Sequence, residues 1–86
     1  MSEVSLAAIL LMENAIDVSA GRAEPIGTGR DYLLASLEFA ATRARPGEDA
    51  HEALLRLIVG GSSIVFLLYS TAEKASALAA AEEPKP

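Results

Sequence analysis

The most hydrophobic part of the chain is residues 54–72, which read LLRLIVGGSSIVFLLYSTA, and residues 57–72 include no charged side chain. When the segment is placed on a helix at about 100° per residue, its polar side chains fall on one narrow strip and the rest of the circumference is apolar. The strip consists of Glu52, Arg56, Ser63, Ser70 and Lys74. Because it keeps its phase through Gly60-Gly61, the pattern predicts one helix over about residues 48–81 that could kink at the glycine pair.

A first helix is predicted over about residues 3–20, with Ser2 as a candidate N-cap and Gly21 able to end it in a left-handed conformation. Its apolar residues form two stripes, which suggests two packing partners. The first stripe is Val4, Ala8, Leu11, Ala15 and Val18, and the second is Leu6, Ile9, Leu10 and Ile16. Glu13 lies at the centre of the second stripe, and we expect it at a rim because an unpaired buried carboxylate is costly.

Residues 21–29 are predicted to be a loop, because Pro25 and three glycines interrupt any helical pattern. The loop leads into a second helix over about residues 30–44, with Thr28 or Asp31 as its cap.

The second helix has an alanine- and leucine-rich face, which the pattern predicts as its core side: Leu33, Leu34, Leu37, Ala40, Ala41 and Ala44. The opposite strip, Tyr32, Ser36, Phe39 and Arg43, is predicted to point away from the core. Two aromatic residues beside an arginine are typical of a contact surface. Three interpretations stay open for this strip: subunit or partner contact, burial against the long helix, and contact with a small ligand.

Together these elements predict an all-α protein, a small bundle of three helices in a single domain over residues 1–86, with a frayed tail at 82–86. Two shorter helices would pack on one long C-terminal helix. Each large apolar side chain of that helix would contribute about 1.5–3 kcal/mol if fully buried. Two alanine-rich helices can cover only part of its circumference, so we expect a homo-oligomer or a helical protein partner.

Composition excludes several function classes. With a net charge of −5 the chain lacks the basic face that phosphate binding requires, so nucleic acid is not an expected partner. No cysteine is present, which excludes disulfides and thiolate metal sites and fits a reducing, cytoplasmic location. The opening MSEVSL has no basic residue and does not match a secretory signal.

A membrane location is the alternative, with residues 54–72 as a single-pass anchor. A bilayer span requires about 20 apolar residues, and the uncharged run here is shorter. If the segment does span a membrane, Arg43, Arg45 and Arg56 on its N-terminal side predict that this side is cytoplasmic.

Catalytic and metal-binding patterns are weak. Glu48-x-x-His51 matches half of a di-iron bundle motif, although an acidic residue near a helix start is also favoured by the helix dipole. His51, Ser62 and Tyr69 share one line of the predicted helix but are about 10–16 Å apart along its axis. No catalytic residue, cofactor-binding residue or metal ligand is therefore assigned, and enzyme activity is not expected.

The sequence thus predicts a non-catalytic helical module for oligomerisation or partner binding. The candidate interface residues are Tyr32, Phe39, Arg43, Gly60, Gly61, Ile64 and Leu68. The first alternative is the single-pass membrane subunit described above. The second is a helical bundle that encloses a small apolar ligand or a metal.

Overall fold

The computed structural model describes residues 3–82, which fold into four α-helices and contain no β-strand. The helices are α1 (Leu6–Ser19), α2 (Gly29–Thr42), α3 (Ala50–Val59) and α4 (Ser63–Glu82). The prediction of an all-α fold is confirmed, and the prediction of three helices is wrong. The candidate cap Ser2 and residues 83–86 of the predicted tail lie outside the described residues.

Local sequence determines where the first three helices begin. The Ser5 side chain accepts a hydrogen bond from the backbone of Ala8 and caps α1. Thr28 caps α2 in a capping box with Asp31, as the sequence predicts. In each case a side-chain oxygen satisfies a backbone N–H that has no partner within the helix. A second capping box, between Asp49 and Glu52, starts α3.

The predicted long helix is broken between α3 and α4. The Ser62 N–H donates to the carbonyl of Leu57 at 2.9 Å, and the Gly61 N–H donates to the carbonyl of Ile58 at 3.1 Å. This pair of bonds is a Schellman motif, in which the residue after the cap adopts a left-handed conformation. That residue is Gly61, with φ +78°. The glycine therefore ends α3 although the polar strip continues in phase across it.

Helices α2 and α4 each contact the other three helices, whereas α1 and α3 do not touch, and α2 makes the more extensive contact with α3. A first core lies between α1, α2 and α4 and consists of Ala8, Ala15, Tyr32, Ala35, Leu68, Ala72 and Ala75. A second core lies where α3 and the start of α4 meet the end of α2, and consists of Ala40, Ala53, Leu54 and Val65. Alanine makes up five of the seven residues of the first core and two of the four residues of the second, which lets the helices approach closely.

Helices α2 and α4 come closest at Gly29. A Cβ atom at this position would lie 2.2 Å from the Ser76 hydroxyl oxygen and 3.1 Å from the carbonyl oxygen of Ala72. A Cβ atom on Gly60 would meet only the carbonyls of its own helix, at Arg56 and Leu57. The crossing that requires a glycine is therefore at the start of α2 and not at Gly60.

The predicted faces of α2 are wrong in two respects. The pattern places Tyr32 and Ser36 on the side away from the core, yet both are fully buried, and Tyr32 packs with Leu68 and Ala72 of α4, which is the burial against the long helix that stayed open as an alternative. Leu33 and Leu34, expected in the core, are 40% and 47% exposed. The physical reason is that α2 contacts three helices, so small residues occupy its closest contacts, and the Tyr32 hydroxyl finds hydrogen-bonding partners inside the protein.

Candidate interaction surfaces

An uncovered apolar surface lies at the corner between α3 and α4. Its four large side chains, Leu55, Ile58, Val59 and Phe66, are 63%, 44%, 88% and 70% exposed respectively. We call these four residues the elbow surface. The first three lie on one face of α3, because residues three and four apart are neighbours on a helix.

A groove enters the elbow surface beside Phe66. It has a volume of about 370 Å³ and an almost entirely apolar lining. The lining residues are Ile58, Gly61, Ser62, Ser63, Val65, Phe66 and Tyr69. The glycine turn builds this groove, because it directs α3 away from α4 and leaves the space between their adjoining ends unfilled.

The orientation of α3 explains why the elbow surface stays exposed. Ala53 and Leu54 face the second core, where they pack with Ala40 of α2. Leu55 and Val59 lie on the other side of α3 and are largely exposed, and Ile58 lies between that side and Leu54, where it lines the groove beside Phe66. The residues that fix α3 in place are thus different from those that it exposes.

An ion pair holds the segment between α2 and α3 in place. Arg56 donates through Nε and Nη2 to the Glu48 carboxylate, each at 3.0 Å, and Nη2 also donates to the Arg43 carbonyl at 2.7 Å. The backbone N–H of Arg45 donates to the same carboxylate at 2.9 Å. The Arg56 hydrogen bonds, followed by the Arg45 N–H, lower the pKa of Glu48 from 4.5 to about 2. This pair turns Arg56 toward the connection, whereas Glu52, the other charged side chain of α3, is exposed one turn before Leu55.

A second uncovered apolar surface runs along α1. The first predicted stripe of α1 packs inward, with Ala8, Ala15 and Val18 buried. The second stripe faces outward, and all four of its residues are exposed: Leu6, Ile9, Leu10 and Ile16. Glu13 lies among them and is exposed as well. We call these four apolar residues the α1 stripe.

The predicted interface residues are separated by the fold. Gly60 and Gly61 lie at the elbow, and Ile64 and Leu68 contribute to the cores instead. The remaining three were predicted to lie together on α2. Of these, Tyr32 is buried, Phe39 is half-buried and Arg43 is exposed. The Arg43 guanidinium lies 5.2 Å from the centre of the Phe39 ring. A common contact role for the seven stays a prediction.

Sequence reasoning overlooked Asn14, which is buried and bonded to Tyr32. The Tyr32 hydroxyl donates to Asn14 Oδ1, and Asn14 Nδ2 donates to the Glu24 carbonyl at 3.0 Å. The sequence does contain a signal for this buried amide, because Asn14 lies between Leu11 and Val18 on the inward stripe of α1. The pair fixes the loop against both helices, which is a structural role.

The polar side chains do not assemble into a reactive set. Across residues 3–82 no three side chains of the metal-ligating acidic and histidine types come together. Glu48 is engaged by Arg56, and His51 is exposed on the first turn of α3. Ser62 and Tyr69 line the elbow groove, but His51 does not.

Tyr69 also lines a second groove, between α2 and α4, with a volume of about 530 Å³. This groove includes Arg30 and Glu73 and is wider open than the elbow groove. The two grooves therefore meet at Tyr69, and charged groups border only the second.

One described helix, α4, is long and apolar enough to cross a membrane by length and composition. It has 20 residues and a mean hydropathy of 1.3, a criterion that a core helix of a soluble protein also meets. The predicted anchor at 54–72 does not form one helix, because the turn at Gly61 interrupts it.

The chain matches no known family model, no curated protein and no solved structure.

Proposed function

We propose that the chain is a non-catalytic helical module that assembles with itself or with a helical protein partner through its uncovered apolar surfaces. The observation that supports this proposal is the elbow surface, where four large apolar side chains remain exposed after the chain has folded. The exposed area of these four side chains is roughly 500 Å². Patches of that size on soluble monomers are often functional.

The shape of the elbow favours a macromolecular partner over a small ligand. The groove of about 370 Å³ is near the lower limit for small-molecule pockets. Leu55 and Val59 are 63% and 88% exposed and do not line the groove. A small ligand in the groove would leave these two side chains in water, whereas a helix or a second protein surface could cover all four.

Membrane anchoring is the alternative suggested by the length of α4. Its charge distribution disfavours a span, because Glu73 and Lys74 lie at the middle of the helix. A charge at the centre of a spanning helix costs about 2.5–3.5 kcal/mol on insertion scales. Separation of expressing cells into membrane and detergent-free soluble fractions distinguishes the two proposals, since an anchor requires the chain to stay with the membranes.

Light scattering coupled to size-exclusion chromatography tests the assembly proposal. The chain has a mass of 9.0 kDa, and we expect an average mass that rises above this value as concentration increases from about 1 µM to about 200 µM. Chemical cross-linking in cells expressing the chain extends the test to partners other than itself. A mass of 9.0 kDa at every concentration, together with no cross-linked product, would contradict the proposal.

A further inference from the structure

We propose that the occupant of the elbow surface is the elbow surface of a second copy of this chain, in a two-fold symmetric dimer. This inference rests on the proposed function and makes it specific. It names one partner and one surface, while the α1 stripe stays outside the interface.

The first argument is area. A standard interface buries about 800 Å² on each partner, and in homodimers about 65% of the interface is apolar. The apolar area on one partner of such an interface is therefore close to the roughly 500 Å² of exposed apolar side chain on the elbow surface. The four residues and a polar rim around them therefore match the size of a standard interface without any contribution from α1.

The second argument is charge. Two copies each have a net charge of −5 and repel one another at long range. Residues 57–72 include no charged side chain, Arg56 is turned toward Glu48 and the carbonyl of Arg43, and the exposed Glu52 lies at the edge of the surface, one turn before Leu55. In elbow-to-elbow contact the centre around Ile58, Val59 and Phe66 is therefore uncharged, and the Glu52 carboxylate of each copy belongs to the polar rim.

The centre of the α1 stripe, in contrast, includes a charged side chain. Glu13 lies among its apolar residues, so an antiparallel pairing of two stripes centred near Leu11 would bring the two Glu13 carboxylates within about 6 Å along the helix axis. Like charges at that distance oppose association. A second copy therefore fits the elbow better than it fits α1.

The third argument is shape. A two-fold interface requires one surface that complements itself. The elbow surface has a protruding side chain and a groove that could receive one, because Phe66 is 70% exposed at the edge of a groove that it also lines. In a symmetric pair, Phe66 of each copy can enter the groove of the other, between Ile58 and Tyr69.

Paired variants test the proposal. Phe66→Ser and Val59→Ser change exposed elbow residues, and Leu10→Ser and Ile16→Ser are matched controls on the α1 stripe. All four residues are exposed, so each variant is expected to fold, with circular dichroism as the check. We expect the dimer Kd measured by sedimentation equilibrium to rise about tenfold or more in the elbow variants and to stay within about threefold in the controls.

The results separate this inference from the more general proposal. If the α1 variants dissociate the assembly and the elbow variants do not, the chain is still an assembling module but the elbow is not its interface. If the unaltered chain neither self-associates nor forms any cross-linked product, both proposals fail. Trimers or larger assemblies that persist in the elbow variants also contradict a two-fold elbow dimer.

Spin labels provide a direct readout of the geometry. The chain has no cysteine, so Ser70→Cys, one turn after Phe66 on α4, and Leu10→Cys each create a single labelling site. For nitroxide labels in the dimer, we expect a shorter intermolecular distance at position 70 than at position 10. A shorter distance at position 10 would overturn the elbow interface. A Glu13→Gln variant should leave the dimer Kd unchanged, whereas tighter association would identify α1 as the contact.

Discussion

The hydroxyl of Tyr32 donates a hydrogen bond to Oδ1 of Asn14, and both side chains are buried between α1 and α2. The same hydroxyl accepts a hydrogen bond from the backbone N–H of Ile26 at 2.9 Å. Residues 21–28 are thereby fixed to the helix before them and to the helix after them. A loop rich in glycine and proline thus has a defined position although few of its own side chains are buried.

Tyr32→Phe should destabilise the protein by about 1–3 kcal/mol, because the Asn14 oxygen and the Ile26 N–H lose a buried partner. Tyr69→Phe is a matched control, since the Tyr69 side chain is half-buried and lines the elbow groove, and we expect a change within about 0.5 kcal/mol. Urea unfolding followed by circular dichroism measures both. Equal stability of the two variants would show that the buried hydroxyl contributes nothing.

The ion pair between Glu48 and Arg56 predicts a pH dependence of stability. The pKa of Glu48 is lowered from 4.5 to about 2 in the folded chain, so the unfolded state binds a proton first as the pH falls. Its contribution is fully present above pH 4.5 and is lost between pH 4.5 and about 2. Glu48→Gln should remove this part of the acid dependence, so that its stability falls less steeply than that of the unaltered chain.

An NMR titration of the Glu48 side-chain carboxyl carbon measures the pKa directly. The midpoint should move toward 4.5 in an Arg56→Met variant, because the Arg56 hydrogen bond is the largest cause of the lowered pKa of Glu48. A midpoint near 4.5 in the unaltered chain would contradict the ion pair.

The ends of several elements were predictable because they depend on short-range chemistry. Thr28, one of the two predicted caps, caps α2, and Gly21 has the left-handed φ of 77° that was predicted to end α1. The turn at Gly61 depends on the same kind of local signal, which the periodicity of the polar strip obscures. An unbroken polar strip shows only that two segments could share one face, and it does not require a continuous backbone.

The inward face of α2 was not predictable from hydrophobicity. Leucine is more hydrophobic than tyrosine or serine, yet Leu33 and Leu34 are exposed while Tyr32 and Ser36 are buried. The decisive factors were the close approach of α4 at Gly29 and the partners available to the tyrosine hydroxyl. Both are relationships between distant segments, and a single sequence does not display them.

Gly29→Ala tests the close approach of α2 and α4. A methyl group in a helix normally stabilises it, but here it would meet the Ser76 hydroxyl and the Ala72 carbonyl. We expect a net loss of about 1–3 kcal/mol from overpacking. Adding Ser76→Ala removes the nearer atom and should restore part of the loss, whereas Ser76→Ala alone should be close to neutral. Chemical denaturation of the four proteins shows whether the two changes are coupled, and simple additivity would contradict the contact.

Gly61→Ala distinguishes a broken from a continuous helix by the sign of its effect. In the turn, Gly61 has φ +78°, a conformation that costs an L-residue about 1–2 kcal/mol, so the variant should be less stable by that amount. In one continuous helix the same change would stabilise by about 1 kcal/mol, because alanine is the better helix former.

Gly60→Ala is the matched control: Gly60 has φ −76°, and its change should stay within about 0.5 kcal/mol. Gly61→Asn should fall between Gly61→Ala and the unaltered chain, since asparagine tolerates the left-handed region better than alanine. Thermal and urea unfolding of the three variants give the order of stabilities, and a stabilising Gly61→Ala would mean that α3 and α4 form one helix and that the elbow surface does not exist.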